Sequence, residues 1–420
     1  MLVTRRRTRH ALPVLLALLP LLAACEDSPT GPRQPAELTA LPRPLSAAER
    51  QAVAVGNDFS VALFREVNAR KAGENVFISP FSAAAALGMA LNGANGATFD
   101  AMRTTLGFEA LELQAIDEAY HGLTTLLLSL DPSVTLGIAN AIFHDQHLVA
   151  EPAFLAASRD YFDAEVQGLD FADAPASLAT INHWASEKTQ GRIPKVLDEL
   201  DDDEMMFLLN ALYFKGAWRS RFDPARTQPA PFRLDGGGEI EVPMMARSQT
   251  AMRLGYVDGA QVLELPYGNG AFAMTVVLPP EGTPVDAFVA TLTPAAWDAL
   301  LAGLHDTEGD VWLPRFKLSY HDEWTDVLTA MGMGVAFDPN AADFSRLSST
   351  DRLYLTRVLQ DAVVEVNEEG TEAAAVTTVG VGLTSAPPGF RADRPFVFAI
   401  RERLSGTILF VGKVVRPSAG

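Results

Sequence analysis

The sequence predicts one large domain of the α+β class. Three observations support this: apolar residues at helical spacing early in the chain, short apolar runs typical of buried strands later, and no internal linker. The only low-complexity stretches, Gly236–Gly238 and the alanine-rich residues near Pro175, are short and lie between strand-like and helix-like runs. Length alone would favour two or three domains, but no boundary divides the chain.

Three segments are predicted to be helical. The first has apolar residues four apart, at Val55, Phe59, Leu63 and Val67. The second, Ser82–Leu91, is dominated by alanine and leucine, both strong helix formers. The third runs from Ile181 towards Gly191, with Ser177 expected as its cap and Gly191 as its stop.

Buried strands are predicted where short apolar runs end in turn residues. These runs are Phe207–Leu209, Ala271–Leu278 and Ile408–Val411. The last belongs to an expected core hairpin, with strands around Arg394–Arg401 and Thr407–Val414 and a turn at 404–406.

The segment 365–395 has the composition of a loop and the alternation of a strand. From Thr371, every second residue is small or β-branched: Thr371, Ala373, Ala375, Thr377, Val379 and Val381. Four glycines and the pair Pro387–Pro388 are typical of an exposed connection. Composition alone favours a solvated linker, whereas the alternation indicates a loop able to become a strand.

The N-terminus is predicted to direct export. Arginines 5–7 precede an apolar run, Ala11–Leu22, that is too short and too interrupted by proline to favour a membrane span. Cys25, the only cysteine, follows Ala23 and Ala24 and resembles the bacterial lipoprotein box, which implies cleavage after residue 24 and lipid on Cys25. Residues 25–50 are proline-rich and are expected to be a tether, with the folded domain at 51–420. An ordinary signal peptide is the alternative.

The charge excludes polyanionic partners. The chain has 33 basic and 52 acidic residues, and four of the arginines lie in the leader, which leaves a formal charge of −23. Nucleic acid and heparin need clustered basic residues, so neither is expected as a partner. The acidic run Asp198–Glu204 lacks the spacing of a calcium loop and is expected to be solvated surface.

Several motifs, in order, resemble those of the serpins, a family of suicide inhibitors of serine proteases. They are Asn75–Ser82, Asn210–Trp218, Leu265–Tyr267, Leu313–Lys317, Ala336–Pro339 with Asp343–Ser345, Asn367–Ala375 and Arg394–Phe398. The resemblance implies helices packed on large, mostly antiparallel sheets, with an exposed reactive-centre loop at about 368–394. A protease would attack this loop, and the cleaved loop would insert into the main sheet and trap the acyl-enzyme.

The resemblance also assigns residues to this mechanism. The hinge of the loop comprises Glu368, Gly370, Thr371, Glu372, Ala373, Ala374 and Ala375. The breach, where insertion starts, contains Trp218, and the shutter beneath the main sheet contains Asn210, Ser79, Ser82 and Gln360. Gln360 stands where the family usually has histidine, so opening of the shutter is expected to be less sensitive to pH.

Family spacing, counted from Gly370 and from Pro395, places the reactive bond at Thr384–Ser385, with Leu383–Thr384 as the rival. Threonine after an apolar residue suits elastase-like or subtilisin-like proteases, whereas cleavage after Leu383 would suit a chymotrypsin-like target. Inhibition of a papain-like cysteine protease is a further possibility within this class.

The sequence offers no support for an enzyme. It has no G-x-S-x-G elbow, H-E-x-x-H helix, Walker loop or dinucleotide fingerprint. Neither a cofactor nor a metal site is expected. We therefore predict a monomeric inhibitor, exported across the inner membrane and lipid-anchored on the periplasmic or outer face of the envelope. The alternative is a non-inhibitory member of the family that serves as protease substrate, carrier or adhesin.

Overall fold

The computed structural model of the chain describes residues 1–2, 35–201, 204–371 and 389–418. In chain order, the helices of these residues are α1 Ala47–Arg70, α2 Pro80–Gly93, α3 Gly96–Thr105, α4 Leu113–Ser129, α5 Pro152–Phe162, α6 Ala174–Lys188, α7 Val285–Thr291, α8 Pro294–Ala302 and α9 Thr325–Leu328. The first two confirm the helices predicted around Phe59 and over Ser82–Leu91.

The strands of the described residues form two sheets. They are β1 Val76–Ile78, β2 Val134–Asp145, β3 Glu165–Leu169, β4 Met206–Ala217, β5 Gln228–Arg233, β6 Glu239–Val257, β7 Ala260–Pro266, β8 Phe272–Leu278, β9 His305–Pro314, β10 Phe316–Glu323, β11 Leu359–Val366, β12 Gly370–Thr371, β13 Gly389–Arg391, β14 Phe396–Glu402 and β15 Ile408–Val414. One sheet has the order β1-β15-β14-β8-β7-β6-β9-β13, with β5 beside β6, and the other has the order β10-β11-β12-β4-β2-β3. The predicted hairpin is confirmed, because β14 and β15 pair antiparallel.

The sheet that contains β11, β12 and β4 is covered on both faces. Leu212 and Phe214 of β4 belong to the main core, which also includes α2. Phe207 and Ala211, which are odd-numbered, pack instead with Trp184 of α6. Since successive residues of a strand face opposite sides, even-numbered β4 residues face the main core and odd-numbered ones face α6.

Helix α6 begins earlier than predicted. Its cap is Asp173, whose side chain accepts a hydrogen bond from the backbone of Ala176, and Pro175 lies in the first turn. A proline is well tolerated there, because that N–H has no partner within the helix. Ser177, the predicted cap, instead lies inside the helix and donates its hydroxyl to the Asp170 carbonyl at 2.8 Å.

The folded unit also begins earlier than the predicted boundary at residue 51. It starts at Pro35, and the Leu38 amide donates to the Asn269 carbonyl at 2.9 Å. Helix α1 begins at Ala47 behind a capping box made by Ser46 and Glu49. The prolines of this segment predict a free tether, but its leucines, Leu38, Leu41 and Leu45, pack against the core.

The described residues include no single helix long and apolar enough to cross a membrane. Only α7 and α8 taken together meet those criteria, and they are bent by 108° relative to each other.

Candidate functional site: the hinge and the slot beneath it

The first hinge residues already form a short strand. The chain turns back after β11, where the Asn367 amide donates to the Gly370 carbonyl at 3.0 Å. Thr371 then pairs with Val366 of β11 on one side and with Gly216 of β4 on the other, antiparallel to both. The predicted hinge residues Gly370 and Thr371 therefore lie inside the sheet, at the top of the space between β4 and β11.

This space, which we call the slot, is one strand wide at the hinge. Adjacent strands lie about 4.8 Å apart, so Val366 and Gly216, with Thr371 between them, are separated by about 10 Å. In the part of the chain that the structure describes, no backbone ladder joins β4 directly to β11. Further down, a cleft of about 140 Å³ lies between residues 205–211 and 352–361. The flanks therefore hold one strand at the hinge and must move apart further down before the same strand can continue.

Gly370 is required by the close approach of the backbone. A Cβ at this position would lie 2.1 Å from the Gly216 carbonyl oxygen and 2.6 Å from the Cα of Ala217. The sequence argument for Gly370 was hinge freedom. The structure adds a steric reason, because a side chain here would push β12 away from β4.

The breach residue Trp218 holds the turn of the hinge. Its indole N–H donates to the Asn367 carbonyl at 2.8 Å, and its amide donates to the Glu369 carbonyl at 2.6 Å. Its ring stacks on Tyr267 with centroids 4.5 Å apart, and the Tyr267 hydroxyl lies 2.8 Å from Thr371 Oγ1. Burial raises the pKa of Tyr267 far above its usual range, so the hydroxyl stays protonated.

Glu368 is clamped by charge. Its carboxylate is almost fully buried, lies 2.6 Å from Arg315 Nη2 and accepts from Arg315 Nε at 2.7 and 2.8 Å. Thr227 donates its hydroxyl to the same carboxylate. Arg315 and Thr227 were not predicted as site residues, although Arg315 lies in a motif that carries the family resemblance.

The shutter residues tie both flanks of the slot to one helix. The Ser79 amide donates to Gln360 Oε1 at 3.1 Å, and Gln360 belongs to β11. Three residues on, Ser82 donates its hydroxyl to Asn210 Oδ1 on β4. The N-terminus of α2 therefore contacts both strands, and the structure brings together the four residues predicted for the shutter.

A fifth shutter residue, Asn140 on β2, was missed. Its Oδ1 accepts from Asn210 Nδ2 at 2.5 Å, and its Nδ2 donates to the Phe162 carbonyl at 2.5 Å. Asn140 pairs directly with Asn210 across the β2–β4 ladder. Sequence pattern does not reveal such a partner, because the register of the two strands is not known in advance.

The remaining predicted site residues lie outside the described residues. They are Cys25, Glu372, Ala373, Ala374, Ala375, Leu383, Thr384 and Ser385. The prediction that the acidic run Asp198–Glu204 is solvated surface is wrong at Glu204, which is buried. Its carboxylate lies 2.7 Å from Arg357 Nε, and this cation compensates the buried charge. Among the described side chains, no group of three or more His, Cys, Asp or Glu is arranged to hold a metal ion.

Comparison with known proteins decides the family. The family model of serpins, described as serine protease inhibitors, matches residues 54–417. The chain belongs to the serpin family. It is 31% identical over 375 residues to rat (Rattus norvegicus) glia-derived nexin, a match that covers 86% of this chain and 93% of that protein.

Of two further relatives, one is named as a protease inhibitor and the other as a thyroxine-binding protein. The serpin is 34% identical to the leukocyte elastase inhibitor of Bos taurus, over 87% of this chain and 100% of that protein. Its fold resembles that of human thyroxine-binding globulin complexed with thyroxine, with a TM-score of 0.81 and 30% identity, over 89% of this chain and 100% of that one. The predicted serpin fold, with helices packed on large sheets, is confirmed.

Proposed function

We propose that this serpin is a suicide inhibitor that traps serine proteases covalently by inserting its cleaved reactive-centre loop into the slot. One observation carries the proposal: Thr371 already occupies the top of the slot, paired on both sides. Insertion would then extend an existing strand, because the sheet is already open at its first position.

The register of this strand explains the small residues of the hinge. Continued from Thr371, the ladder would place Ala373 beside Phe214 and Val364, and Ala375 beside Leu212 and Ala362. Those four neighbours all belong to the main core. Side chains of the incoming strand must therefore pass beneath the sheet into packed surroundings, where small residues enter and bulky or charged ones are stalled.

Two residues beyond Ala375, the same register would bring Thr377 between Asn210 and Gln360. These are the shutter side chains that bind Ser82 and Ser79. A threonine hydroxyl both donates and accepts hydrogen bonds, so it could satisfy the amide groups that separation of the flanks leaves unpaired. Thr377 is therefore suited to the middle of the slot.

The target is proposed from the residues of the reactive bond. Cleavage at Thr384–Ser385 presents threonine to the protease, which suits the small or medium apolar pocket of an elastase-like or subtilisin-like enzyme. The relative named as a leukocyte elastase inhibitor is consistent with this class. Lipid on Cys25 would keep the inhibitor at the bacterial envelope, close to proteases that reach the membrane. We expect the inhibitor to act there as a monomer.

A carrier role is the second candidate. Thyroxine-binding globulin shares the fold at 30% identity and is described with a small ligand bound. The two functions make different demands on the loop, because only an inhibitor has to insert it before the protease is released.

The deciding experiment mixes the full chain with an elastase, a subtilisin, a chymotrypsin and a trypsin. A boiled sample is then examined by denaturing gel and mass spectrometry. Inhibition predicts a covalent species at the combined mass and a released peptide that begins at Ser385. A peptide that begins at Thr384 would move the bond to Leu383–Thr384 and favour a chymotrypsin-like target.

A matched variant, Ala375→Arg, separates trapping from simple cleavage. It adds bulk and charge at a position that must enter the core side of the slot, while leaving the proposed reactive bond unchanged. We expect it to be cleaved at the same bond without forming the covalent species. If the unsubstituted chain behaves like this variant with every protease, the inhibitor proposal is wrong and a substrate or carrier role replaces it.

A further inference from the structure

A buried ion pair joins the two flanks of the slot at the end remote from the hinge. Arg357 Nη2 donates to Glu204 Oε2 at 2.9 Å, and Arg357 Nε lies 2.7 Å from Glu204 Oε1. The two side chains are only 15% and 1% exposed. Thr356 adds a hydroxyl contact to the carboxylate at 3.3 Å. We call this pair the clasp.

The clasp crosses the slot. Glu204 lies two residues before β4, and Arg357 lies two residues before β11. Arg357 also donates to the carbonyl of Glu199, in the connection that leads from α6 to β4. Within the described residues, the lower parts of β4 and β11 share no ladder, so these side chains connect the flanks where the backbone does not.

We propose that the clasp is a late barrier to strand insertion, and that Glu204 and Arg357 are positioning residues that control whether insertion reaches completion. This inference rests on the proposed function. In the register set by Thr371, residue 380 would come beside Arg357 and residue 383 beside Glu204. A strand that stops before residue 380 leaves the clasp closed, whereas one that continues to Thr384 must separate the pair.

Insertion therefore has two stages. The early stage passes the shutter, whose side chains facing the slot are uncharged amides and hydroxyls. The late stage must separate a buried carboxylate from its cation, which is much less favourable than exchanging neutral hydrogen bonds. The attached protease comes fully to the far end of the sheet only in this late stage.

The late stage competes with loss of the protease. The acyl intermediate is an ester between the Thr384 carbonyl carbon and the protease serine oxygen. Water attacks that carbon, the bond to the serine oxygen breaks, and the serine recovers its proton, which leaves active protease and a cleaved inhibitor. The clasp thus sets the ratio of trapped to released protease without contacting the reacting atoms.

The test follows both stages directly. The loop of the full chain is cleaved, and pulsed hydrogen exchange is measured over time in peptides that cover 362–366 and 353–359. We expect the upper peptide to gain protection first and the lower one after a lag. In Glu204→Gln, the lag should shorten at least threefold while the upper peptide keeps its rate.

Two variants serve as controls. Arg357→Lys retains the charge at the clasp and should therefore keep most of the lag seen in the unsubstituted protein. Asp286→Asn removes the carboxylate partner of the buried Lys413, away from the slot, so it should lower stability without changing the lag. A merely stabilising clasp would give Glu204→Gln the same result as Asp286→Asn, and that outcome would overturn the inference.

The two proposals fail in different ways. Staged protection without a covalent complex would refute inhibition and leave the clasp as a barrier. A covalent complex whose two peptides gain protection together would refute the clasp alone. If neither peptide gains protection after cleavage, insertion does not occur and both are wrong.

Discussion

Glu368→Gln is expected to loosen the hinge by breaking its charge clamp on Arg315. Glutamine keeps the size of the side chain and can still bind Thr227, so the change isolates the ionic contact. The Glu368 side chain is 5% exposed and that of Arg315 is 40% exposed. Exposed pairs contribute about 0.2–1 kcal/mol, and loss of one partner from a buried pair costs about 3–5 kcal/mol. A half-buried pair with this geometry should contribute about 2 kcal/mol.

A double-mutant cycle measures this coupling. Glu368→Gln, Arg315→Gln and the double variant are compared in the first unfolding transition in urea. The matched control is the pair Lys317–Glu365 on β10 and β11, which lies 3.7 Å apart with both side chains about 40% exposed. Its coupling energy should stay below about 0.5 kcal/mol.

The same change should release the hinge more often. About 2 kcal/mol corresponds to roughly a 30-fold higher population of the released state, which exchange of the Gly370 and Thr371 amides reports. A Glu368–Arg315 coupling no larger than that of Lys317–Glu365 would refute the argument that burial strengthens the clamp.

Three further predictions concern other parts of the fold. Gly370→Ala should expel β12, because its Cβ would lie 2.1 Å from the Gly216 oxygen, and faster amide exchange at Thr371 would show this. Gln360→His should make spontaneous loop insertion accelerate as pH falls from 8 to 5, since a protonated imidazole cannot accept a hydrogen bond from the Ser79 amide. The insertion rate of the unsubstituted protein should not change over this range. Desolvation raises the pKa of Asp117 to about 7, so the native state binds the proton more tightly than the unfolded chain does. The free energy of unfolding should therefore fall by up to about 4 kcal/mol as pH rises from about 4 to 7. Asp117→Asn should remove this loss in urea unfolding at pH 5 and 8, and an unchanged pH slope would contradict the assignment.

Local pattern predicted those elements whose signal lies within a few residues. The four-residue spacing around Phe59 belongs to one helix face, and the apolar run Ala271–Leu278 is long enough to identify a buried strand. The same approach failed at residues 35–50. Prolines there predict a tether, and the local pattern misses the burial of the leucines, because the core surface that buries them comes from distant parts of the chain.

Polar partners were harder to predict than apolar positions. Glu204 lies in an acidic run, and composition alone predicts that such a run is exposed to solvent. Its burial depends on Arg357, which is 153 residues away. Arg315 and Asn140 were missed for the same reason, since a hydrogen-bonded pair leaves no periodic trace in the sequence. The family motifs placed Trp218 and Gln360 only because they carry information about tertiary neighbours.

The chemistry of the contacts along the slot suggests where resistance to insertion lies. A charged clamp holds the hinge at the top, neutral amides and hydroxyls line the middle, and the clasp closes the bottom. Neutral groups can exchange partners with an incoming strand, whereas a buried carboxylate separated from its cation remains unfavourable until it reaches water or a new partner. Insertion leaves the Glu368 clamp in place, because Thr371 beyond it is already paired on both sides. The barrier should therefore concentrate at Glu204, and substitutions in the shutter should change the rate of insertion less than substitution of this carboxylate.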